Sequence, residues 1–156
     1  GEVLAAQGGR SHRAGLVVQG AFRYLHADAA GGEHVVGYAF AGEFVGDYIS
    51  MCVDAPSQVT IEAMCGAAAL VVTGGRLEAF YRTDAAHERL GRTMAEHMLA
   101  EVYERLLERY AASPQQRYEA LLERCPDLLQ MVSLRELASY LGVRPETLSR
   151  IRGRIR

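Results

Sequence analysis

The chain has 156 residues, and about half of them are hydrophobic, which suffices for a packed core in one or two small domains. No apolar run approaches the length needed to cross a bilayer, and no signal peptide is apparent, so we expect no membrane partner. The net charge of −2 by itself argues against a nucleic-acid partner. However, residues 113–156 hold eight Arg and five acids, whereas residues 1–112 hold nine Arg and fourteen acids. The basic end of the chain is therefore where a nucleic-acid contact is expected.

Cysteines and histidines give little sign of a metal centre. Cys52, Cys65 and Cys125 are far apart and form no CxxC pair, so a zinc finger or a cysteine-ligated iron–sulfur cluster is unsupported. We expect buried, inert thiols in a reducing cytoplasm. A cupin-type enzyme is the main catalytic alternative, but the histidines form no His-x-His pair. Gly-rich phosphate loops, nucleophile elbows and HExxH motifs are also missing, so we predict no metal, no cofactor and no enzymatic activity.

Residues 1 to about 72 have the pattern of β structure. Short apolar or alternating runs, GLVVQGAFRYLHAD, GEHVVGYAFAGEF and SQVTIEAMCGAAALVV, are separated by glycine-rich turns. This pattern predicts a sandwich, a barrel or a roll. The chain begins at Gly1, with no Met and within an expected strand, so we expect that an amino-terminal part precedes it.

The pattern becomes helical near Thr73. A short helix is predicted at about Gly75 to Tyr81, followed by a long helix with Asp84 as its cap. An apolar stripe then recurs along the long helix at Leu90, Met94, Met98, Val102, Leu106 and Tyr110, and is widened by Leu99 and Leu107. This stripe could pack on the β domain of its own chain or on the same helix of a second subunit.

A hinge is expected at Ala111-Ala112-Ser113, after which Pro114 opens another helix that ends before Pro126. We expect its inward residues to be Tyr118, Leu121 and Leu122.

Residues 133–156, SLRELASYLGVRPETLSRIRGRIR, resemble a helix-turn-helix. Ser133 and Glu136 have the spacing of a capping box for a helix over Leu134–Leu141. Gly142 can end that helix in the left-handed conformation, and Pro145 suits the first turn of the next helix. Leu148, Ile151 and Ile155 are the predicted inner stripe of that second helix.

The opposite face of the second helix is polar, with Glu146, Ser149, Arg150, Gly153 and Arg154 on it. Glu146 can accept a hydrogen bond from a cytosine amino group, and Arg150 can pair with guanine. Further residues suit positioning contacts to the DNA, and they are Ser133, Arg144, Thr147, Arg152 and Arg156. Arg144 is a poor residue for the cap that precedes this helix. The simpler alternative is a helical hairpin with a solvated arginine-rich face.

The order of elements resembles that of the Crp/Fnr family of bacterial transcription regulators. The motifs that carry this resemblance are LRELASYLGVRPETLSRIR and GLVVQGAFRYLHAD followed by AGEFVGD. It implies an α+β fold with a cyclic-nucleotide-binding-like β-roll over residues 1–82. A long dimerisation helix over 83–112 and a helix-turn-helix domain over 113–156 follow. It also implies a homodimer that reads two half-sites of double-stranded DNA, with RNA polymerase and a small-molecule effector as further partners.

Two departures from the family pattern concern DNA. Family members often place a base-reading Arg just before the residue that matches Glu146, but here this residue is Pro145. The half-site is therefore expected to differ from the best-known one. The sequence also stops soon after the recognition helix, so we expect the usual β-wing to be missing.

The effector region departs further from the family pattern than the DNA-binding region does. Gly46 and Asp47 match the Gly-acid pair of nucleotide-binding members, but the position of their phosphate-binding Arg falls on Ser57 or Gln58. The family's base-contacting hydroxyls are also missing, since Glu101 and Val102 fall at their positions. We therefore expect control by an unknown effector and not by cyclic AMP. His97 could line an effector cavity, or it could face solvent. A second functional alternative is an interaction protein that kept this fold but lost DNA binding.

Overall fold

A computed structural model describes residues 1–64 and 66–155, with only the backbone of Ile155. The predictions for Cys65, for Arg156 and for the inward side chain of Ile155 fall outside these described residues.

The amino-terminal half is a roll of two antiparallel sheets. Its strands are β1 Val3–Ala5, β2 Arg13–Gln19, β3 Ala21–Ala27, β4 Glu33–Phe40, β5 Phe44–Gly46, β6 Thr60–Ala63 and β7 Ala68–Thr73. One sheet has the order β1-β6-β3-β4, and the other has the order β5-β2-β7. The two sheets enclose a core that includes Val17, Phe22, Val45 and Ile61. Of the sandwich, barrel and roll that the sequence predicts, the chain thus adopts the roll.

Seven helices complete the described chain. They are α1 Tyr48–Cys52, α2 Gly74–Tyr81, α3 Ala85–Ala111, α4 Pro114–Arg124, α5 Leu128–Met131, α6 Leu134–Leu141 and α7 Pro145–Ile155. The order agrees with the expected α+β fold. The sequence reasoning missed α1, whose signal was Asp47, because the Asp47 carboxylate caps this helix by accepting from the Ser50 N–H.

The break between α3 and α4 is shorter than the predicted hinge. Ala111 still belongs to α3, and only Ala112 and Ser113 lie outside the two helices. Ser113 forms a complete capping box with Gln116, which starts α4 directly. The prediction of a three-residue hinge was therefore wrong by one residue, because the Ala111 backbone continues the helical hydrogen bonding.

The carboxy-terminal helices share a core with the roll. Side chains alternate along β4, so Ala39 faces the interior of the roll while Tyr38 and Phe40 face outward. Tyr38 and Phe40 are buried in one cluster with α4 to α7, which includes Leu128 and Leu137. The end of β4, from Tyr38 to Phe40, is therefore covered on both faces, and the helix-turn-helix unit is docked on it.

The thiols are less buried than expected. Cys52 is exposed on α1 and Cys125 is half-buried at the end of α4. The prediction of buried thiols was wrong for Cys52, because α1 is a single short turn on the surface of the roll.

Candidate nucleic-acid interface and effector region

Helices α6 and α7 form the predicted helix-turn-helix. Gly142 ends α6 in the left-handed conformation with φ of 66°, and the Val143 N–H donates to the Ala138 carbonyl at 2.9 Å. This backbone geometry suits glycine because it has no Cβ to clash. Leu137 and Leu141 of α6 and Leu148 of α7 are almost fully buried. The inner faces of the two helices are thus committed to packing.

The outer face of α7 is free for a partner. The exposed side chains at this surface are Glu146, Ser149, Arg150 and Arg154, together with Arg144 just before the helix, while Thr147 and Arg152 are half-buried. Among the ion pairs within residues 1–64 and 66–155, none involves a charged group of this surface. The charges are therefore not neutralised by the described part of the chain.

The start of α6 corrects one sequence prediction. The exposed Ser133 hydroxyl accepts from the Glu136 N–H at 3.1 Å, which is half of the expected capping box. The Glu136 carboxylate does not return to the cap. It accepts instead from the Tyr38 hydroxyl and from Arg23, each at 3.1 Å. The reciprocal capping bond was wrongly predicted, because a guanidinium and a phenol of the roll are better donors within reach.

A second polar link joins α4 to the roll. Arg124 donates to both carboxylate oxygens of Glu43, at 3.0 and 2.8 Å, and lies 5.0 Å from the centre of the Phe40 ring. Burial alone lowers the pKa of the Arg124 guanidinium, but the Glu43 carboxylate outweighs this and raises it. The sequence did not predict the Arg124–Glu43 and Arg23–Glu136 pairs. Their residues are 81 and 113 positions apart, and a local sequence pattern cannot indicate such a contact.

The effector-region residues other than His97 come together around one carboxylate. Asp47 accepts from the Ser50 hydroxyl at 2.5 Å, the Ser57 hydroxyl at 2.7 Å and the Gln58 N–H at 3.3 Å. Gly46 precedes it at the end of β5. Burial raises the pKa of the Asp47 carboxyl, but hydrogen bonds from Ser50 and Ser57 prevail and hold this pKa below its ordinary value. The carboxylate therefore accepts four hydrogen bonds, three of them at Oδ2 and one, from the Ser50 N–H, at Oδ1.

Side chains of the roll hold the backbone beside Asp47. The Gly46 N–H donates to the Tyr24 hydroxyl at 3.1 Å, and the Tyr24 side chain is half-buried. Ser57, which is at the expected arginine position, uses its hydroxyl to hold Asp47. Arg105 of α3 acts electrostatically on Tyr24, but it is paired with Glu101 at 3.3 Å. No guanidinium of residues 46–58 is present to bind a phosphate.

His97 does not join this group. Its imidazole is exposed on α3 and lies 3.4 Å from the Glu101 carboxylate. Of the two open possibilities, the structure thus favours a solvent-facing His97.

Two clefts flank the roll. One, of about 510 Å³, lies between β4, α3, α4 and α6, with Arg117 and Tyr140 among its lining residues. The other, of about 590 Å³, lies beside α1 and α2 and contains Cys52 and Tyr48. Burial and the Cys52 thiol raise the pKa of Tyr48 to about 12. Sequence reasoning indicated neither cleft.

The described chain thus joins a β-roll through a long helix to a helix-turn-helix. The family model named cyclic nucleotide-binding domain matches residues 1–84, and the chain belongs to this family. No curated protein matches the chain in sequence.

Solved structures share the fold of the whole chain. FixK2 from Bradyrhizobium japonicum has a TM-score of 0.78 at 20% identity, over 99% of this chain and 79% of that one. The c-di-GMP-responsive global regulator CLP from Xanthomonas campestris has a TM-score of 0.62 at 18% identity, over 99% and 82%. A Crp/Fnr-family transcriptional regulator from Thermus thermophilus has a TM-score of 0.64 at 23% identity, over 99% and 81%. The predicted resemblance to Crp/Fnr regulators is thereby confirmed.

Two further features are missing from residues 1–64 and 66–155. No helix there is long and apolar enough to cross a membrane. No cluster of three His, Cys, Asp or Glu side chains is placed there to hold a metal ion.

The hydrogen bonds to the Asp47 carboxylate should make a pH-dependent contribution to the free energy of unfolding. The pKa of this carboxyl is lowered by folding, so the contribution is present above the ordinary value of 3.8 and is lost as the pH falls through the folded value. Asp47→Asn is expected to lower the free energy of unfolding by roughly 1–3 kcal/mol at pH 7. In urea unfolding from pH 7 to pH 3, the difference from wild type should shrink at the acidic end.

Asp54→Asn is the matched control, because the Asp54 side chain is 81% exposed. It should have a smaller effect at pH 7. A difference between Asp47→Asn and wild type that stays constant with pH would contradict the role of the charged carboxylate.

Proposed function

We propose that this protein is a transcription regulator that binds double-stranded DNA sequence-specifically through α7. One observation carries the proposal: the outer face of α7 is exposed and its charges are unpaired within the described residues, while its inner face is buried in the core. A helix held in this way can enter the major groove without unfolding its support.

The side chains of this surface divide by chemistry. Glu146 in the first turn of α7 and Arg150 one turn later can reach base edges, where a carboxylate accepts from cytosine and a guanidinium pairs with guanine. Arg144, Arg152 and Arg154 supply the phosphate contacts that set the register, and the Ser133 and Thr147 hydroxyls add neutral contacts. Pro145 offers no donor, so the half-site differs from that of members with Arg at this position.

Removing the Arg150 guanidinium should weaken base reading. Arg150→Ala is expected to cost about 1–3 kcal/mol on a site selected from random duplex, with relaxed specificity at one G·C pair. Binding to random duplex should fall much less. Wild-type affinity should decrease steeply with salt, because bound counterions are released.

Arg82→Ala is the control variant, since Arg82 directly follows α2 and pairs with Glu78. Its affinity should equal that of wild type. Equal losses for Arg150→Ala on selected and random duplex would exclude base reading. Wild-type binding that is absent or independent of salt would instead favour an interaction protein that has lost DNA binding.

We also propose that the protein acts as a homodimer through α3. Within the described residues, Gly91 is the one buried residue of this 27-residue helix. Its large exposed apolar side chains include Leu99, Val102, Tyr103, Leu106 and Tyr110. At 100° per residue these five fall within an arc of about 100°, which is the width of a packing face. A second α3 is the occupant that would also give two recognition helices for two half-sites.

A charge on this face should prevent dimer formation. Leu99→Glu is expected to shift the protein from dimer to monomer in sedimentation equilibrium, because an unpaired carboxylate would be buried between the helices. Ile49→Glu is the matched control, since Ile49 is 71% exposed on α1 and Leu99 is 69% exposed. A monomeric wild type, or a dimer that survives Leu99→Glu, would contradict the pairing of α3.

We propose that the effector, which remains to be identified, is not a cyclic nucleotide. Three observations support this proposal. The Asp47 carboxylate already accepts hydrogen bonds from Ser50 and Ser57, and the Tyr24 hydroxyl accepts from the Gly46 N–H. Ser57 also lies where nucleotide-binding members have their phosphate-binding arginine. Action in the cytoplasm, with RNA polymerase as a further partner, follows from the same proposed regulatory role.

Cyclic AMP in excess should therefore leave the melting temperature unchanged. A ligand at one hundred times its Kd stabilises a protein by about 2.7 kcal/mol, which a thermal melt resolves easily. A rise in the melting temperature that depends on cyclic AMP concentration, and that Asp47→Asn abolishes, would show that the roll binds the nucleotide.

A further inference from the structure

We propose that Arg23, Tyr38 and Glu136 are positioning residues for DNA reading. They anchor α6 on the roll and so set the orientation in which α7 meets a major groove. This inference rests on the proposed DNA-binding function and adds the means by which the roll controls it.

The anchor is built on one rung of the sheet. Arg23 of β3 is paired in register with Glu62 of β6 on one side and with Tyr38 of β4 on the other. Directly paired residues point to the same face, so Glu62, Arg23 and Tyr38 form a row across three strands. This row meets the start of α6. A platform on three hydrogen-bonded strands is a more rigid support than a loop.

Glu136 receives two donors from this row. One carboxylate oxygen accepts from the Tyr38 hydroxyl and the other from Arg23, each at 3.1 Å, while Arg23 also pairs with Glu62. The Arg23 and Glu136 side chains are 32% and 18% exposed. Burial alone lowers the pKa of the Arg23 guanidinium, but the Glu62 and Glu136 carboxylates prevail and raise it. The pair is therefore shielded from solvent and is unlike a fully exposed ion pair.

At the start of α6, a contact with the roll takes the place of the capping hydrogen bond that Glu136 could make within the helix. Glu136 is the third residue of α6, where its carboxylate has the spacing for a capping box with Ser133. It contacts the roll instead. The Tyr38 ring also packs edge-on against Tyr140 of α6, with ring centres 5.0 Å apart. The start and the far end of α6 are thus both held on β4.

The Arg124–Glu43 pair gives a second anchor from α4. One contact leaves a rigid unit free to rotate, whereas two separated contacts fix its orientation. The docked arrangement leaves Glu146, Ser149 and Arg150 exposed, so it is compatible with reading DNA. On this proposal, the docked orientation is the one that binds DNA. Molecules that undock no longer bind, so the apparent affinity for DNA falls in proportion to the docked fraction.

The test compares Arg23→Gln, Glu136→Gln and the double variant with wild type. Each is titrated with the selected duplex over a range of salt, and each is measured without DNA by small-angle X-ray scattering. We expect an affinity about fivefold lower or more in the single variants, with an unchanged salt slope, because the phosphate contacts stay the same. We also expect a larger radius of gyration.

The double variant should lose less than the sum of the two single losses, because both substitutions break the shared Arg23–Glu136 pair. Arg10→Gln is the control, since it removes an exposed Arg10–Asp54 pair of the roll. Circular dichroism checks folding, and Glu136→Gln still offers Tyr38 an acceptor if Arg23→Gln fails to fold.

The experiment distinguishes failure of the positioning role from failure of the proposed DNA-binding function. If wild type binds duplex but the variants equal it in affinity and in scattering, the positioning role is wrong. If wild type binds no duplex, the proposed function is wrong, and unchanged scattering would then also refute the anchor.

Discussion

The docking of the helix-turn-helix unit on strand β4 is the contact on which the rest of the structure depends. Helices as short as α5 and α6 are not stable alone, and they persist because their apolar faces are buried. That burial is completed by Tyr38 and Phe40, which belong to the roll. The roll and the carboxy-terminal helices therefore share this cluster, and α7 has a defined place relative to the roll.

The same packing explains the free surface of α7. Leu148 and Ile151 are used inside the unit, so the residues between them must face outward. Arginine is an effective residue for this surface, because its planar guanidinium can pair with guanine or with phosphate. The acidic half of the chain lies mostly in the roll and α3, which keeps the positive charge at the carboxy-terminal end despite the net charge of −2.

In the roll, the Asp47 carboxylate holds a segment of the chain in place. It lies next to Gly46 and organises the segment from Ser50 to Gln58 by accepting hydrogen bonds. Three of these bonds reach the same oxygen, Oδ2, so a new donor at that oxygen would have to replace one of them. Membership of the cyclic nucleotide-binding domain family therefore supports the fold more strongly than it supports the ligand.

Apart from the short helices α1 and α5, the sequence by itself determined the element order. It also determined ends of the longer helices, since Asp84, Pro114, Gly142 and Pro145 act on backbone groups within a few residues of themselves. It also predicted which face of α7 is buried, because helical periodicity is local. Only the tertiary structure decided that Glu136 leaves its cap for Arg23, that Arg124 pairs with Glu43 and that Cys52 is exposed. Those outcomes depend on which strands are brought beside which helices, and no pattern of neighbouring residues encodes a contact between positions 113 residues apart.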